Sequence, residues 1–422
     1  MSDILDFYKE QASGSISPVL WLQHLKDDAL ADFTEKGFPT RAHEDWKYTS
    51  VDSFLKKRFS LNQTPAKQPE MPSADVPVGQ HVRFSNGVVL NAEEIAACMP
   101  AGVIVKPWSV ALKEHPELVK PYLGQIVAHD HGFQALNTAL LQCGLFIYLP
   151  ENCHLKTPLV LSHWQDQDAQ ATYIRHVVVA EARSHATIIE DYQGLDDFDY
   201  YTNAITEVSV GQDATISHYK TQREGNLGYH IGHTAVQQAK NSEFNSHVLS
   251  LGGKLVRSDI TIALQQEQAR CLLNGIYVPV SDQHIDHHTT VFHNLPQCQS
   301  IQDYKGILKG KSRAVFNGKV IVAKDAQQSL AEQQNKNLLL SANAEIDTKP
   351  QLEIFADDVT CTHGATVGQL DEEALFYLAT RGINREEASR YMIHAFAADN
   401  LKRVCIPELA DWMKTLLNRQ LG

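Results

Sequence analysis

Short stretches of alternating apolar and polar residues fill the middle of the chain, from about residue 82 to residue 340. Alternation with a period of two is typical of half-buried β-strands. Few longer helical patterns interrupt this region; one runs from Phe133 to Leu141. The pattern predicts strands at Ile174–Val179, Ala186–Tyr192, Ile205–Val210, Ala214–Tyr219, Ile260–Leu264, Leu272–Val278 and Val315–Val322.

The two ends of the chain have helical periodicity instead. Near the N-terminus, apolar residues at helical spacing predict a first helix around residues 4–8 and a second over residues 18–36, which Gly37 ends. Near the C-terminus, Asp371 precedes a predicted helix over residues 372–380, and Gly382 occupies a C-cap position. Asn384 and Glu387 then form a capping-box pattern that opens another helix, and a last helix is predicted over residues 407–417.

The predicted strands recur with a long and nearly constant period. Small or polar residues that follow a turn are separated by 28, 29, 26, 29 and 28 residues, at Ala186, Ala214, Glu243, Ala269, Cys298 and Ala326. Such a period favours a β-solenoid, in which each coil buries its inner face by stacking on its neighbours. A sandwich of meandering hairpins is the alternative, although its strands usually recur every ~8–12 residues. We expect the terminal helices to cover the open ends of the solenoid.

Four prolines and several polar residues between positions 61 and 79 predict a linker. The chain therefore divides into an N-terminal helical segment with its linker (1–80), a β-helix core (81–365) and a C-terminal helical domain (366–422).

Composition narrows the class of protein. The 422 residues carry a net charge of −13, which argues against nucleic-acid binding and against binding to an anionic membrane. No apolar run approaches the ~18 residues that span a bilayer, and the first residues lack a signal-peptide pattern, so a cytoplasmic location is expected. The seven cysteines are scattered without a Cys-x-x-Cys pair, which disfavours both a disulfide framework and a self-contained metal site.

Motifs for catalysis are missing from the sequence. Neither a phosphate-binding loop nor a Gly-x-Ser-x-Gly motif occurs. Four histidines, His284, His287, His288 and His293, are close enough to suggest zinc or iron. However, His288 and His293 are an odd number of residues apart and point to opposite faces of a strand, so a polar ladder on an exposed face is the favoured interpretation.

Cys361 and His363 are the second candidate pair. Residues two apart on an extended strand share a face, and a thiolate with an imidazole suits zinc or an iron–sulfur cluster. Gly364 and Gly368 permit a close approach of the backbone. Two ligands do not complete a site, so any further ligands must come from elsewhere in the chain or from another subunit. The structural alternative is a packed cysteine beside a hydrogen-bonded histidine.

The segment from Asn343 to Leu401 resembles the SufD branch of the SufB/SufD family of the SUF iron–sulfur cluster assembly system. The resemblance rests on TKPQLEI, ADDV, HGATVG and the FYL and RGI block, with further matches in PTRAHEDWKYT (39–49), ALNTAL (135–140) and VFNGKV (315–320). The SufB branch has His-Glu where this chain has His363-Gly364. The resemblance implies a mainly β protein, a right-handed parallel β-helix flanked by N- and C-terminal α-helical segments.

The same resemblance implies a non-enzymatic scaffold. Members of this branch pair with a SufB-like paralogue, bind a SufC-like ATPase through the C-terminal helices, and receive sulfur indirectly from a cysteine desulfurase system. The resemblance assigns His363, and secondarily Cys361, to a transient cluster site at the partner interface. No cofactor is expected to be bound stably by the isolated chain, although the complex is a candidate for flavin binding, and the isolated chain is a candidate homodimer.

The resemblance also predicts a docking surface for the ATPase. It comprises Tyr377, Arg381, Gly382, Ile383, Asn384 and Arg385. Phe376, Leu378, Tyr391 and Phe396 have the alternative role of packing the helical segment internally. Two other functions stay open from the residues alone: a polysaccharide lyase or hydrolase on a β-helix, and a zinc enzyme that uses the histidines between 284 and 293.

Overall fold

A computed structural model describes residues 2–61 and 75–422 of the chain. Most of the predicted linker, residues 62–74, lies outside the described residues. The helices are α1 (Ser2–Ser13), α2 (Leu20–Lys36), α3 (Ala92–Cys98), α4 (Trp108–Glu114), α5 (Pro116–Val119), α6 (Gly132–Leu140), α7 (Glu372–Thr380), α8 (Arg385–Leu401) and α9 (Pro407–Leu421), with 3-10 turns at Glu44–Trp46 and Phe54–Lys56.

Twenty strands are described. In chain order they are β1 (Ser60–Leu61), β2 (Gln80–Ser85), β3 (Val88–Val89), β4 (Ile104–Pro107), β5 (Leu145–Leu149), β6 (Leu159–Gln165), β7 (Gln170–Ala180), β8 (His185–Gly194), β9 (Tyr200–Val210), β10 (Thr215–Arg223), β11 (Tyr229–Gln238), β12 (Glu243–Ser250), β13 (Leu255–Leu264), β14 (Arg270–Tyr277), β15 (His284–His293), β16 (Gln299–Leu308), β17 (Arg313–Val322), β18 (Leu330–Leu339), β19 (Glu345–Ile354) and β20 (Thr360–Gly368).

These strands form two sheets that together make a parallel β-solenoid of about eight coils. Sheet A has the order β19-β17-β15-β13-β11-β9-β7-β5-β4, and β1 pairs with β7. Sheet B has the order β20-β18-β16-β14-β12-β10-β8-β6-β2-β3. The pairs β2–β3 and β4–β5 are antiparallel, and the other strand pairs are parallel. The predicted solenoid is confirmed; the division of the chain at residues 80 and 365 stays a prediction.

Stacked apolar columns hold the coils together. One column on the inner face of sheet A contributes one residue per coil, in register, and seven of its eight members are the β-branched residues Val or Ile: Ile147, Val178, Val208, Val236, Ile262, Val291, Val320 and Leu352. All but Leu352 are fully buried. Burial of a branched apolar side chain at each level stabilises a coil only when its neighbours are present, by ~1.5–3 kcal/mol per side chain.

The corners of the coils have a recurring backbone conformation. One residue per corner takes a positive φ of 52–63°, at Asn152, Arg183, Asp213, Asn241, Gln268, Gln297 and Gln328. Their side chains connect neighbouring coils; Gln268 Nε2 donates to Gln297 Oε1 at 3.1 Å, and Gln297 Nε2 donates to Gln328 Oε1 at 3.1 Å. Hydrogen bonds within this ladder offset the cost of left-handed backbone at residues other than glycine.

The helices at the two ends of the chain cover opposite outer faces of the solenoid. Helices α1, α2 and α6 pack an aromatic cluster against sheet A, where the Phe54 and Tyr201 rings are 4.8 Å apart. A fully buried ion pair joins Arg175 on β7 to Glu207 on β9 at 2.9 Å. Glu207 also accepts backbone N–H groups of Gly124, Ile126 and Val127, which fixes the loop that precedes α6.

The C-terminal helices α8 and α9 pack on the outer face of sheet B, against Ile189, Leu249, Ile276 and Ile307. Buried Asn400 of α8 donates to the Asp303 carbonyl at 2.7 Å, and its Oδ1 lies 2.8 Å from His247 Nε2. The expectation that C-terminal helices cover the last coil is therefore wrong for the described residues. Their apolar faces are buried against the side of the solenoid, because the Ile and Leu residues of the outer face of sheet B require that cover.

Candidate functional site

The last coil leaves two strand edges without a neighbour among the described residues. Strand β19 ends sheet A and β20 ends sheet B, so one backbone edge of each is unpaired. Ile354, Phe355 and Val367 are exposed on the same coil, to 41%, 62% and 49%. Unpaired strand edges combined with exposed large apolar side chains are typical of a surface that another chain covers.

Cys361 and His363 lie on this coil, in β20. The strand runs parallel to β18, with Cys361 in register with Ala331 and His363 in register with Gln333. Ala331 and Gln333 are both buried inside the solenoid. Cys361 is half-buried and packs against the interior core, whereas His363 is exposed. The two candidate ligands therefore lie side by side at the open end of the solenoid, as their spacing predicts.

The donor set of this pair suits a thiophilic metal but is incomplete. Burial raises the pKa of the Cys361 thiol, so the group is protonated at neutral pH until a metal displaces the proton. A tetrahedral iron or zinc site needs further ligands beyond one sulfur and one nitrogen. Among residues 2–61 and 75–422, no group of three or more His, Cys, Asp or Glu side chains is arranged to hold a metal ion. Cys361 and His363 alone therefore do not complete a metal site.

The second candidate surface is the turn between α7 and α8. Gly382 has φ 85°, and its N–H donates to Ala379 O while the Ile383 N–H donates to Leu378 O. Asn384 Oδ1 then accepts the Glu387 N–H at 2.9 Å and caps α8. The glycine C-cap and the asparagine N-cap predicted from the sequence are both confirmed.

This turn brings the six predicted docking residues together. Arg381 Nη2 donates to the Tyr377 hydroxyl at 3.0 Å, and its guanidinium lies 5.0 Å from the Tyr377 ring centroid. Arg385 forms a two-pronged ion pair with Glu372 at 2.6 and 2.8 Å. All six residues except half-buried Ile383 are exposed. Their role in binding stays a prediction.

Apolar side chains on the same helices also face solvent. Phe376 is 72% exposed and Tyr391 is 53% exposed, so the interpretation that they pack the helical segment internally is wrong. Phe396 does pack internally, with the Lys305 ammonium 5.0 Å from its ring centroid. Sequence analysis missed Phe376, Phe355 and Val367 as surface features, because periodicity indicates which residues share a face but not which face stays uncovered.

The histidines between 284 and 293 do not form a metal site or an exposed ladder. His287 and His293 point into the solenoid and are buried, whereas His284 and His288 lie on the outer face of sheet A. The predicted opposite orientation of His288 and His293 is confirmed. The predicted metal site and the predicted exposed ladder are thus both wrong. His284 and His288 are half-buried beneath the N-terminal segment, where His288 Nε2 lies 3.0 Å from Asp286 Oδ1.

A further group of ionisable residues is enclosed within the coils. Glu190 accepts hydrogen bonds from Tyr192 and Thr206 and lies 3.0 Å from His218 Nε2. Burial alone would raise the pKa of Glu190, but the hydrogen bond from His218 and nearby cations hold it well below its usual value. These side chains are fully enclosed by the stacked strands, so they have a structural role rather than contact with a substrate.

No helix within the described residues is long and apolar enough to cross a membrane.

Family models match this chain over most of its length. A family model described as SUF system FeS cluster assembly, SufBD core domain, matches residues 163–396, and a second, SufBD protein N-terminal region, matches residues 2–161. The chain is 32% identical to the iron–sulfur cluster assembly protein SufD of Escherichia coli over 375 residues, covering 88% of this chain and 86% of the relative.

Two other relatives extend this likeness. A Synechocystis iron–sulfur cluster assembly SufBD family protein is 30% identical over 421 residues, with 92% of each chain covered. The iron–sulfur cluster assembly protein SufD of Bacillus subtilis is 26% identical over 324 residues, with 76% of this chain and 74% of the relative covered.

Proposed function

Because the chain belongs to the SufBD family of iron–sulfur cluster assembly proteins, we propose that it is a non-catalytic scaffold subunit that pairs with a SufB-like paralogue through its last coil. The observation that carries this proposal is the uncovered coil formed by β19 and β20. A second β-solenoid stacked there would continue both sheets and bury Ile354, Phe355 and Val367.

The same contact would complete a site for the nascent cluster. Cys361 and His363 supply one sulfur and one nitrogen donor at the junction, and the partner would supply the others. The cluster is the cargo of this site and not a resident cofactor. A half-site in each subunit makes assembly depend on the pairing, so that the isolated chain holds no stoichiometric iron. His363 is the stronger candidate because it is exposed, while the Cys361 thiol is half-buried against the core.

The α7–α8 turn is proposed as the docking surface for a SufC-like ATPase. Exposed Phe376 and Tyr377 offer an apolar centre, and Arg381 and Arg385 flank it with charge. The sequence of this chain has no phosphate-binding loop, so nucleotide binding would occur in the ATPase. Dimerisation of the ATPase would then pull on α7 and α8 and distort the solenoid junction, with sulfur delivered through a desulfurase system. A flavin in the complex remains a proposal to which no residue of this chain is assigned.

The decisive experiment compares complexes co-expressed with SufB-like and SufC-like partners. Visible absorption and iron content are measured for wild type, His363→Ala and the matched control His24→Ala, an exposed histidine on α2. We expect all three complexes to assemble and His363→Ala alone to lose most of its cluster absorption. Cys361→Ser is expected to lose less. Equal cluster content in wild type and His363→Ala would remove the ligand role and leave the chain an architectural part.

A further inference from the structure

Two sequence features that the proposed function does not use, the segment at residues 39–49 and the histidines of β15, lie against each other. The segment PTRAHEDWKYT (39–49) crosses the outer face of sheet A, where it covers the outward-facing histidines of β15. Thr49 Oγ1 donates to Asp286 Oδ2 at 2.6 Å and lies 2.9 Å from His284 Nε2. Between this segment and the sheet is a cleft of about 790 Å³. That volume is within the ~300–1,000 Å³ of small-molecule sites.

The floor of the cleft is built around Arg257 of β13. Its guanidinium lies 4.5 Å from the Trp46 ring centroid and donates to the Asp45 carbonyl at 2.7 Å. It also pairs with Asp259 Oδ1 at 2.9 Å and Asp286 Oδ2 at 2.8 Å. One buried guanidinium therefore faces two carboxylates, and each carboxylate also lies near an imidazole, Asp259 near His131 and Asp286 near His288.

Two largely buried oxygen atoms face the cleft without a close hydrogen-bond partner among the described residues, Asp259 Oδ2 and Asn317 Oδ1. The ring of His131 lies beside Asp259. The side chains of His131 and Asp259 are 10% and 12% exposed, with His131 Nε2 3.5 Å from Asp259 Oδ2, and Asn317 is 7% exposed. Buried polar atoms normally have a partner, so these two acceptor oxygens in a cleft point to a ligand that donates hydrogen bonds.

The charge of these groups decides the class of ligand. Burial alone would raise the pKa of Asp259, but Arg257 and the neighbouring His131 hold it well below its usual value, so the carboxylate is anionic at neutral pH. Burial lowers the pKa of neighbouring His233 to about 4, so that imidazole is neutral. The lysines at the rim are engaged, Lys349 with Glu44, Lys319 with Glu353 and Lys36 with the His129 carbonyl. An anion is therefore disfavoured, and a metal ion lacks a set of three ligands within residues 2–61 and 75–422.

We propose that this cleft binds a small organic cation, whose N–H donors form hydrogen bonds with Asp259 Oδ2 and with Asn317 Oδ1, which lie on either side of His288 across three neighbouring strands. The site lies on the outer face of sheet A, away from Cys361 and His363 on β20 of sheet B. The proposal does not depend on the cluster site. Asp259 is the specificity-determining residue, since its largely buried carboxylate lines the cleft floor.

Isothermal titration calorimetry of the purified full chain at ~0.15 M salt tests this, with spermidine and L-argininamide as probes and inorganic phosphate and Zn²⁺ as counter-probes. We expect saturable one-to-one binding of at least one cation, and the preferred probe distinguishes a polyamine from a guanidino compound. Asp259→Asn should weaken binding about tenfold, as expected for loss of a buried charged acceptor. Asp130→Asn is the matched control, because Asp130 lines the same cleft but is exposed.

Asn317→Leu provides a second variant that leaves the charges of the floor unchanged, and it decides the question if Asp259→Asn fails to fold. Binding about threefold or more weaker in Asn317→Leu supports the site, as loss of one hydrogen bond from the cation to the amide oxygen predicts. The proposal is overturned if neither cation binds saturably, if Asp130→Asn weakens binding as much as Asp259→Asn, or if phosphate or Zn²⁺ binds at this place instead.

Discussion

His363 of β20 lies in register with Gln333 of β18, yet Gln333 is 1% exposed and His363 is exposed. The two positions have the same orientation in successive coils, and the difference is that another coil covers only Gln333. A solenoid stacked on β20 would bury His363 as β20 buries Gln333. The exposed histidine is thus an interior position of the fold that lies at the end of the described stack.

The last coil gives the first prediction. Val367→Lys should weaken pairing with a SufB-like partner by more than about tenfold, because a charge would be buried in the junction. The isolated chain should lose little stability, since Val367 is half exposed. Sedimentation velocity of mixed subunits measures the pairing. Val110→Lys, a comparably exposed valine on α4, is the control, and equal weakening by both changes would argue against pairing through β20.

The apolar surface of α7 gives the second prediction. Phe376→Asp should abolish or strongly weaken binding of a SufC-like ATPase, because aromatic residues at the centre of an interface contribute much of its affinity. Thermal unfolding of the variant should match wild type, since the ring is largely exposed. Binding is measured by surface plasmon resonance against Leu90→Asp, an exposed leucine far away in the sequence. Unchanged affinity in Phe376→Asp would place the docking surface elsewhere.

The buried ion pair between Arg175 and Glu207 gives the third prediction. Glu207→Gln should lower the free energy of unfolding by ~3–5 kcal/mol, because it leaves the Arg175 guanidinium buried without a counter-charge. Urea denaturation followed by circular dichroism measures the change. Glu151→Gln, which removes the exposed partner of Arg183, should have little effect. If Glu207→Gln lowered the free energy of unfolding as little as Glu151→Gln, the main role of this carboxylate would be to accept the three backbone N–H groups and not to pair with Arg175.

The solenoid was predictable from the sequence because each coil repeats the same chemistry, but its exact register was not. The strands stack with separations of 30, 28, 27, 29, 31 and 30 residues, starting at His185 and ending at Thr360. The small-residue pattern places the start of one coil at Ala326, four residues before β18 begins at Leu330, because a turn lies between the two. The corner residues with positive φ, from Arg183 to Gln328, are spaced as the strands are. However, nothing in the sequence indicates that an Arg or a Gln adopts the left-handed backbone conformation.

The candidate sites were predictable to different extents. The pairing of Cys361 with His363 on one face follows from the period of a strand, and the caps at Gly382 and Asn384 follow from local chemistry. The cleft at Asp259 was not predictable, because its parts come from residues 36–46, 130–134 and five strands of sheet A. Contacts between segments so distant in sequence are determined by tertiary packing, which periodicity does not encode.

Acid should destabilise the chain through its buried histidines. Burial lowers the pKa of His233, His247, His284 and His293 to about 4, and that of His287 to about 3, from an ordinary value near 6.5. These groups are neutral in both states well above pH 6.5. As the pH falls from about 6.5 toward 4, the unfolded chain takes up protons that the folded chain does not, so the free energy of unfolding decreases.

Several histidines act together, so the decrease should exceed ~1.4 kcal/mol per pH unit, the value for one proton. Urea denaturation between pH 7.5 and 5.0 measures the slope. His293→Gln should reduce this slope by up to ~1.4 kcal/mol per pH unit. The variant lacks the buried ring, which lies 2.8 Å from Ser300 Oγ and takes up a proton only when the chain unfolds. His24→Ala, at an exposed site, should leave the slope unchanged. A flat profile would contradict the prediction, because it would require the buried imidazoles to gain protons as readily when folded as when unfolded.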